Sequence, residues 1–439
     1  MENHSTFKDF FDRHDKTYLM SFLLITACFA LWGFANNVTT PMVGVFSRIF
    51  RMSTIESSLV TIAFNLGYFC MAIPAALYIQ RYSYKGGILI GLGLYALGAV
   101  MFFPSRIIGE FYPFLFSYFI LTCGLSFLET SCNPYIYSMG SERHATQRLN
   151  MVQSFNALGT VAGMLVAMEV HKHISNISSQ DRLHLPLAQF NILKDYDLRV
   201  LTQPYIFIAA IVVIILVLLA FTKMPNDDDR GRDRKLTDIA VDLFHKPNYR
   251  EGVLAQFCYV GAQVACWTYI IQYGLRLFTS EGLTEQEAMI VSQKYNIAAL
   301  VLFAFCRFIA TWLMQWFKPS RMLSVVGILG VVALLGTILF TDRNGLYCLI
   351  AVSGCLSLMF PTIFGLALTG TGSDTKIAGA GLIMAILGGS FFPPIQAAVI
   401  ESKVTFMGLP STNVSFIIPL VCLAVVAWYG HRAYVREWL

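Results

Sequence analysis

The stretch Ile211-Val-Val-Ile-Ile-Leu-Val-Leu-Leu-Ala-Phe221 decides the fold class. It holds no polar residue and shows no apolar/polar alternation. A strand of a membrane barrel alternates every second residue, so a barrel is excluded. Outward from it the apolar run spans about 201–223, the roughly twenty residues needed to cross ~30 Å of hydrocarbon at ~1.5 Å per residue. Eleven further segments of that kind lie at about 19–46, 55–80, 86–104, 111–138, 148–172, 250–278, 287–316, 321–340, 346–369, 377–400 and 412–430. The expected fold class is therefore all-α, a membrane protein of twelve transmembrane helices. Only 13% of the 439 residues are charged, against roughly a quarter in a soluble domain, which excludes a water-soluble fold.

An even number of spans puts both termini on one side. One set of alternate loops contains Lys8, Arg13 and Lys16, then Arg81, Lys85, Arg143, Arg148, the stretch Lys223 to Arg250, Lys318, Arg321, Lys376, Arg432 and Arg436. This set is the richer in Lys and Arg, so it is expected to face the cytoplasm. Met1 to Tyr18 is polar and acidic, with Asp9, Asp12 and Asp15, unlike a cleaved secretory signal. The charged stretch 224–249 divides the chain into an N-terminal six-helix bundle (1–223) and a C-terminal one (250–439). Six plus six is the organisation of transporters built from two repeats. The formal charge of +5 does not imply nucleic acid. The ten cysteines sit in or beside apolar runs without CxxC pairs, so they read as reduced packing residues, and neither a metal nor a cofactor is expected.

A charge at mid-membrane is costly enough to need a reason. Two stand out: Glu129 on the fourth segment and Arg307 on the eighth. No histidine lies at a membrane centre, which leaves a carboxylate as the titrating group of the core. Glu129 and Asn133 are four apart and share a helix face. Gln153 and Asn156 form a polar stripe on the fifth segment. On the first, Asn36, Asn37, Thr39 and Thr40 precede Pro41, which removes a backbone donor and is expected to loosen the helix. Gln256, Tyr259 and Gln263 are spaced by three and four on the seventh segment, with Trp267 one turn on. Asn, Gln and Glu can pair with sugar hydroxyls, while Trp32, Phe303 or Phe360 can lie against an apolar ring face. The competing readings are interhelical glue for the amides and a static Glu129–Arg307 ion pair. His171-Lys172-His173 does not put two imidazoles on one face and reads as a solvated loop start. Gly388-Gly389 with Pro393-Pro394 marks a flexible or broken span. Asn176 and Asn413 stand in glycosylation sequons expected on outside loops.

Long stretches of this chain resemble the L-fucose:proton symporters of the major facilitator superfamily, a family that also includes glucose and galactose transporters. They are Leu254 to Trp267, Leu128-Glu129-Thr130 with Asn133-Pro134, Arg148-Leu149-Asn150 leading to Gln153-Ser154-Phe155-Asn156, Arg307-Phe308 with Thr311-Trp312, Phe360 to Phe364, and Leu31-Trp32 with Ala35-Asn36-Asn37. The resemblance implies a central cavity, a sugar bound between two halves, and a helix-4 carboxylate that exchanges a proton. Glu129 matches that carboxylate, Asn37 and Gln153 match sugar-handling residues, and Trp32, Phe303 and Arg307 match other cavity positions. Two departures stand against it. The fucose symporters carry a second acid on helix 1 where this chain has Thr40, and a tyrosine where it has Phe360.

The resulting expectation is a sugar importer of the bacterial inner membrane, with L-fucose or a related hexose carried together with a proton. Glu129 serves proton coupling and is expected to line a wet pocket between the two six-helix bundles. The expected substrate-contacting set is Asn37, Gln153, Glu129, Trp32, Asn133, Asn156, Gln256, Gln263, Trp267, Phe303, Arg307 and Phe360. The expected partners are the sugar, the coupling cation and the bilayer, with the protein a monomer. The alternatives are a glucose/galactose carrier, sodium-coupled or uncoupled, and a sugar sensor that signals through the linker. An enzyme is disfavoured, because no nucleophile–base pair or metal cluster occurs at membrane depth.

Overall fold

The structure, a computed structural model, describes residues 16–52, 59–175, 177, 182, 184–224, 235–402, 405 and 408–436. Its long elements are all helical. Among the described residues, six helices precede the linker: α1 (Lys16–Phe50), α2 (Leu59–Arg81), α3 (Tyr84–Ile108), α4 (Phe111–Ser138), α5 (Glu142–His173) and α6 (Leu187–Phe221). A short amphipathic helix, α7 (Leu236–His245), buries Ile239 and Leu243. After it come α8 (Pro247–Ser280), α9 (Glu285–Leu313), α10 (Pro319–Leu339), α11 (Arg343–Leu356), α12 (Met359–Leu368), α13 (Thr375–Met384), α14 (Gly388–Glu401), α15 (Ser411–Val414) and α16 (Ile417–Arg436).

Among the described residues, 12 helical stretches are long and apolar enough to cross a membrane, one for each segment expected. Their outward faces carry large apolar side chains such as Ile107, Phe207 and Phe221. In water such a surface would aggregate; against acyl chains it is the stable arrangement. All ten cysteines are free.

The differences from the sequence reading have local causes. α6 begins at Leu187, well before the apolar run. Its early turns carry Lys194, Asp195, Asp197 and Arg199, whose charges end the apolar run without ending the helix. α1 stays helical through Pro41. The tenth span breaks between α11 and α12, near Pro361, which has no N–H to give the carbonyl of Ser357 one turn back. In the eleventh span a 3-10 turn, Ala385–Leu387, separates α13 from α14 just before Gly388, so the expected interruption is present. Asn413 is not on an outside loop. It lies in α15, fully buried, where its amide donates to the carbonyls of Thr337 and Phe340 at 2.9 Å each. It closes the C-terminal end of α10, where helical carbonyls lack partners. Asn176 falls outside the described residues.

Packing divides the chain into two compact units. One contains Arg13–Tyr135 and Leu158–Gly231; the other contains Ile136–Ala157 and Arg232–Leu439. The segment from the end of α4 to the middle of α5 thus belongs with the second half of the chain. Neutral hydrogen bonds explain this: Gln147 Nε2 donates to the Thr311 carbonyl at 3.3 Å, Asn150 Nδ2 to Thr362 Oγ1 at 3.2 Å, and Tyr137 meets Thr369 at 3.4 Å. Arg148, completely buried, ties the segment to itself through the carbonyls of Ile136, Tyr137 and Ser141.

Tight helix crossings occur in both units, and one in each occupies a corresponding place. In the first, a Cβ at Gly159 on α5 would overlap the carbonyl oxygen of Ala30 on α1. In the second, a Cβ at Gly388 on α14 would overlap the carbonyl oxygen of Phe257 on α8. Counted by spans these are the fifth against the first and the eleventh against the seventh. The repeat that is faint in sequence is visible here as packing.

Candidate functional site

Two polar clusters contain the residues singled out from sequence, one in each unit. In the first unit, Glu129 projects from α4 and is 1% exposed. Neither of its carboxylate oxygens has a hydrogen-bond partner. The residue was expected to line a wet pocket. It is instead almost fully enclosed, with Tyr68 of α2 and Cys132 of α4 beside it. The hydroxyl of Tyr68 on α2 lies beside Glu129, Trp32 and Asn36 without closing a hydrogen bond to any of them. Asn133 turns its amide back onto the Glu129 carbonyl at 3.0 Å, and Asn37 does the same to Gly33 at 3.2 Å. The side chain of Thr40 lies outside the described side chains.

The second cluster is built on α8, α9, α11 and α12, with one contribution from α5. Arg307 on α9 is 2% exposed. Its Nε donates to the carbonyl of Ser357, and its Nη1 donates to the carbonyl of Gln153 at 3.0 Å. Ser357 is the carbonyl that Pro361 leaves without a helical donor, so the guanidinium replaces a missing backbone bond. The guanidinium carbon also lies 4.4 Å from the Phe303 ring centroid, within the range of a cation–π contact. Phe303 meets Trp267 edge-on, with centroids 4.9 Å apart, and the Trp267 indole donates to Ser353 at 3.2 Å. Tyr259 donates to the carbonyl of Leu356 at 3.2 Å, at the break before α12, and its ring lies near Phe360. Among the described residues, Arg307 has no carboxylate partner.

One turn before Tyr259 on α8 sits Gln256, fully buried, with no hydrogen bond at either end of its amide. An amide in that state favours a polar ligand, since each unmet group costs roughly 1–3 kcal/mol. Gln263 and Asn156 are half-buried. The structure thus brings Gln153, Trp267, Phe303, Arg307 and Phe360 together in one cluster, and Trp32 and Glu129 in the other. Sequence reasoning missed Tyr68 altogether. It noted Tyr259 without assigning it a role.

The sequence pattern of the Major Facilitator Superfamily matches residues 22–393. This chain belongs to that superfamily. It is 45% identical over 430 residues to the L-fucose-proton symporter of Haemophilus influenzae, covering 96% of this chain and 98% of the relative. It is 33% identical over 418 residues to the L-fucose-proton symporter of Escherichia coli, covering 94% and 92%. Among solved structures it is similar to the superfamily transporter FucP in the outward conformation, with a TM-score of 0.84, 30% identity, and coverage of 95% of this chain and 99% of that one. The superfamily fold expected from the twelve spans is established on these grounds. The protein is a multi-pass membrane transporter and not an enzyme.

Proposed function

We propose that this transporter imports L-fucose, or a closely related hexose, together with a proton, and that Glu129 carries the proton. The observation that carries this reading is the enclosed, unpartnered carboxyl of Glu129 in a chain 45% identical to an L-fucose-proton symporter. An ionised carboxylate shut away without a partner costs several kcal/mol, and taking up a proton removes that cost. Closing the protein around Glu129 is therefore cheap when it is protonated and costly when it is not, which ties the conformational cycle to the proton. With Thr40 unable to titrate, Glu129 is the only acid available for this role on the residues identified above.

The sugar is met by Asn37, Gln153, Asn133, Asn156, Gln256 and Gln263 through hydrogen bonds, and by Trp32, Trp267, Phe303 and Phe360 through ring faces, with Arg307 bracing the second set. Alternating access runs between the bundles 1–223 and 250–439, joined by the linker 224–249. The protein works as a monomer in the bacterial inner membrane with both termini in the cytoplasm, the side favoured by its Lys and Arg distribution.

The test uses Glu129→Gln in proteoliposomes. Counterflow of labelled L-fucose should persist, while accumulation driven by a proton gradient falls by at least about tenfold, equivalent to ~1.4 kcal/mol. Undiminished accumulation would discard the coupling role. The sugar itself is identified by the thermal shift of the purified protein with L-fucose, D-arabinose, D-galactose and D-glucose.

A further inference from the structure

The first cluster contains a polar group that neither the substrate set nor the proton step above uses. Tyr68 is 5% exposed, and its hydroxyl is buried without a hydrogen-bond partner. A buried hydroxyl is normally satisfied. Its position is fixed from behind: Ser126 Oγ on α4 donates to the Tyr68 carbonyl at 3.1 Å. Ser126 precedes Glu129 by three residues, so both face α2 from one side of α4. The Tyr68 phenol is thereby held at the level of the carboxylate, and the two interact.

We infer that the Tyr68 hydroxyl is the positioning partner of Glu129 through the transport cycle, a role that rests on the coupling function proposed above. The phenol can serve both states of the carboxyl group. Once the proton has left, the Tyr68 O–H donates to the carboxylate; while Glu129 carries the proton, the carboxylic O–H donates to the Tyr68 oxygen. No proton leaves the phenol in either state. Trp32 and Asn36 of α1 also lie beside the hydroxyl. The other titratable groups facing this pair are thiols: Cys132 on α4, beside Glu129, and Cys28 on α1, beside Cys132. Among the described residues no lysine, arginine or histidine interacts with Glu129. The deprotonated carboxylate thus has one hydroxyl donor within reach, and losing it should hinder proton release more than sugar binding.

The decisive variant is Tyr68→Phe in the full-length protein reconstituted in liposomes, which keeps the ring and removes only the oxygen. Counterflow and the KM for L-fucose should stay within about twofold, while proton-driven uptake falls about tenfold and its alkaline limb moves up by about one pH unit, the same free energy on two scales. In a Glu129→Gln background, Tyr68→Phe should change counterflow no further, since two residues acting as one unit are not additive. Parallel loss of counterflow and uptake with an unmoved pH profile would make Tyr68 a packing residue and overturn the inference, as would unchanged uptake. If Tyr68→Phe fails to fold, 3-fluorotyrosine placed at position 68 keeps shape and hydroxyl but donates more strongly. The alkaline limb should then move down, and an unmoved limb overturns the inference. The two proposals fail separately: accumulation retained by Glu129→Gln removes both, whereas accumulation lost there and kept by Tyr68→Phe removes only this one.

Discussion

Glu129 and Arg307 are both buried charges on membrane helices, yet their surroundings are opposite. Arg307 is anchored on two backbone carbonyls and an aromatic face, whereas the carboxylate oxygens of Glu129 bond to nothing. The difference separates a charge that holds structure from one available for exchange. A guanidinium is always protonated and presents fixed donors, which suits it to replace a lost helical bond. A carboxyl group can discard its charge, so it can be left unpartnered when a proton is at hand.

Substitution at the two sites should break this contrast or sharpen it. The largest stability effect is expected for Arg307→Met, which leaves the carbonyl of Ser357 without a donor, at about 1–3 kcal/mol. The thermal midpoint of the purified protein should drop by several degrees, whereas Glu129→Gln should leave it unchanged or raise it. Equal midpoints for the two variants would erase the distinction. A smaller effect is expected at the segment joining α4 to α5. Asn150→Ala removes the bond to Thr362, worth about 0.6 kcal/mol in membrane proteins, so hydrogen exchange across 136–157 should quicken about threefold. Unaltered exchange would mean that apolar packing alone holds that segment.

The smallest effect lies outside the membrane. Glu281 accepts two bonds from Arg343, at 3.0 and 2.7 Å, and that guanidinium holds its carboxyl below the usual carboxylate range. A lowered value in the folded state makes the contribution complete above the unfolded value of about 4.3 and lost as pH falls through the folded one. The midpoint gap between the native protein and Glu281→Gln should therefore be present at pH 7 and close as the pH falls below the usual carboxylate range. A gap that persisted in acid would assign the effect to something other than this pair.

The spans were legible because transfer into hydrocarbon is a local, additive property of the chain. The breaks within them were less so. Pro361 is visible in the sequence, but only the folded chain shows that Arg307, far away in sequence, meets the carbonyl it releases. The start of α6 was hidden because its early turns are charged, and charge signals an exit from lipid rather than the end of a helix. Asn413 was misplaced because its sequon is a three-residue pattern blind to burial. Arg307 stood out as a charge at membrane depth, Trp267 through its spacing on the seventh segment and Phe303 through resemblance, and the structure joins them in one cluster. Tyr68 could not be selected, being one of 20 tyrosines with nothing in its spacing to mark it. Its importance arises from which hydroxyl the packing of α2 on α4 leaves next to an acid.

The glycine crossings at Gly159 and Gly388 have a mechanical consequence. Where two helices touch backbone to backbone, no flexible side chain lies between them to absorb a displacement. Sliding one along the other would drive peptide groups into each other, whereas tilting the pair together disturbs neither. Each crossing therefore works as a rivet, so that a push at one end of the riveted pair reaches the other end almost undiminished.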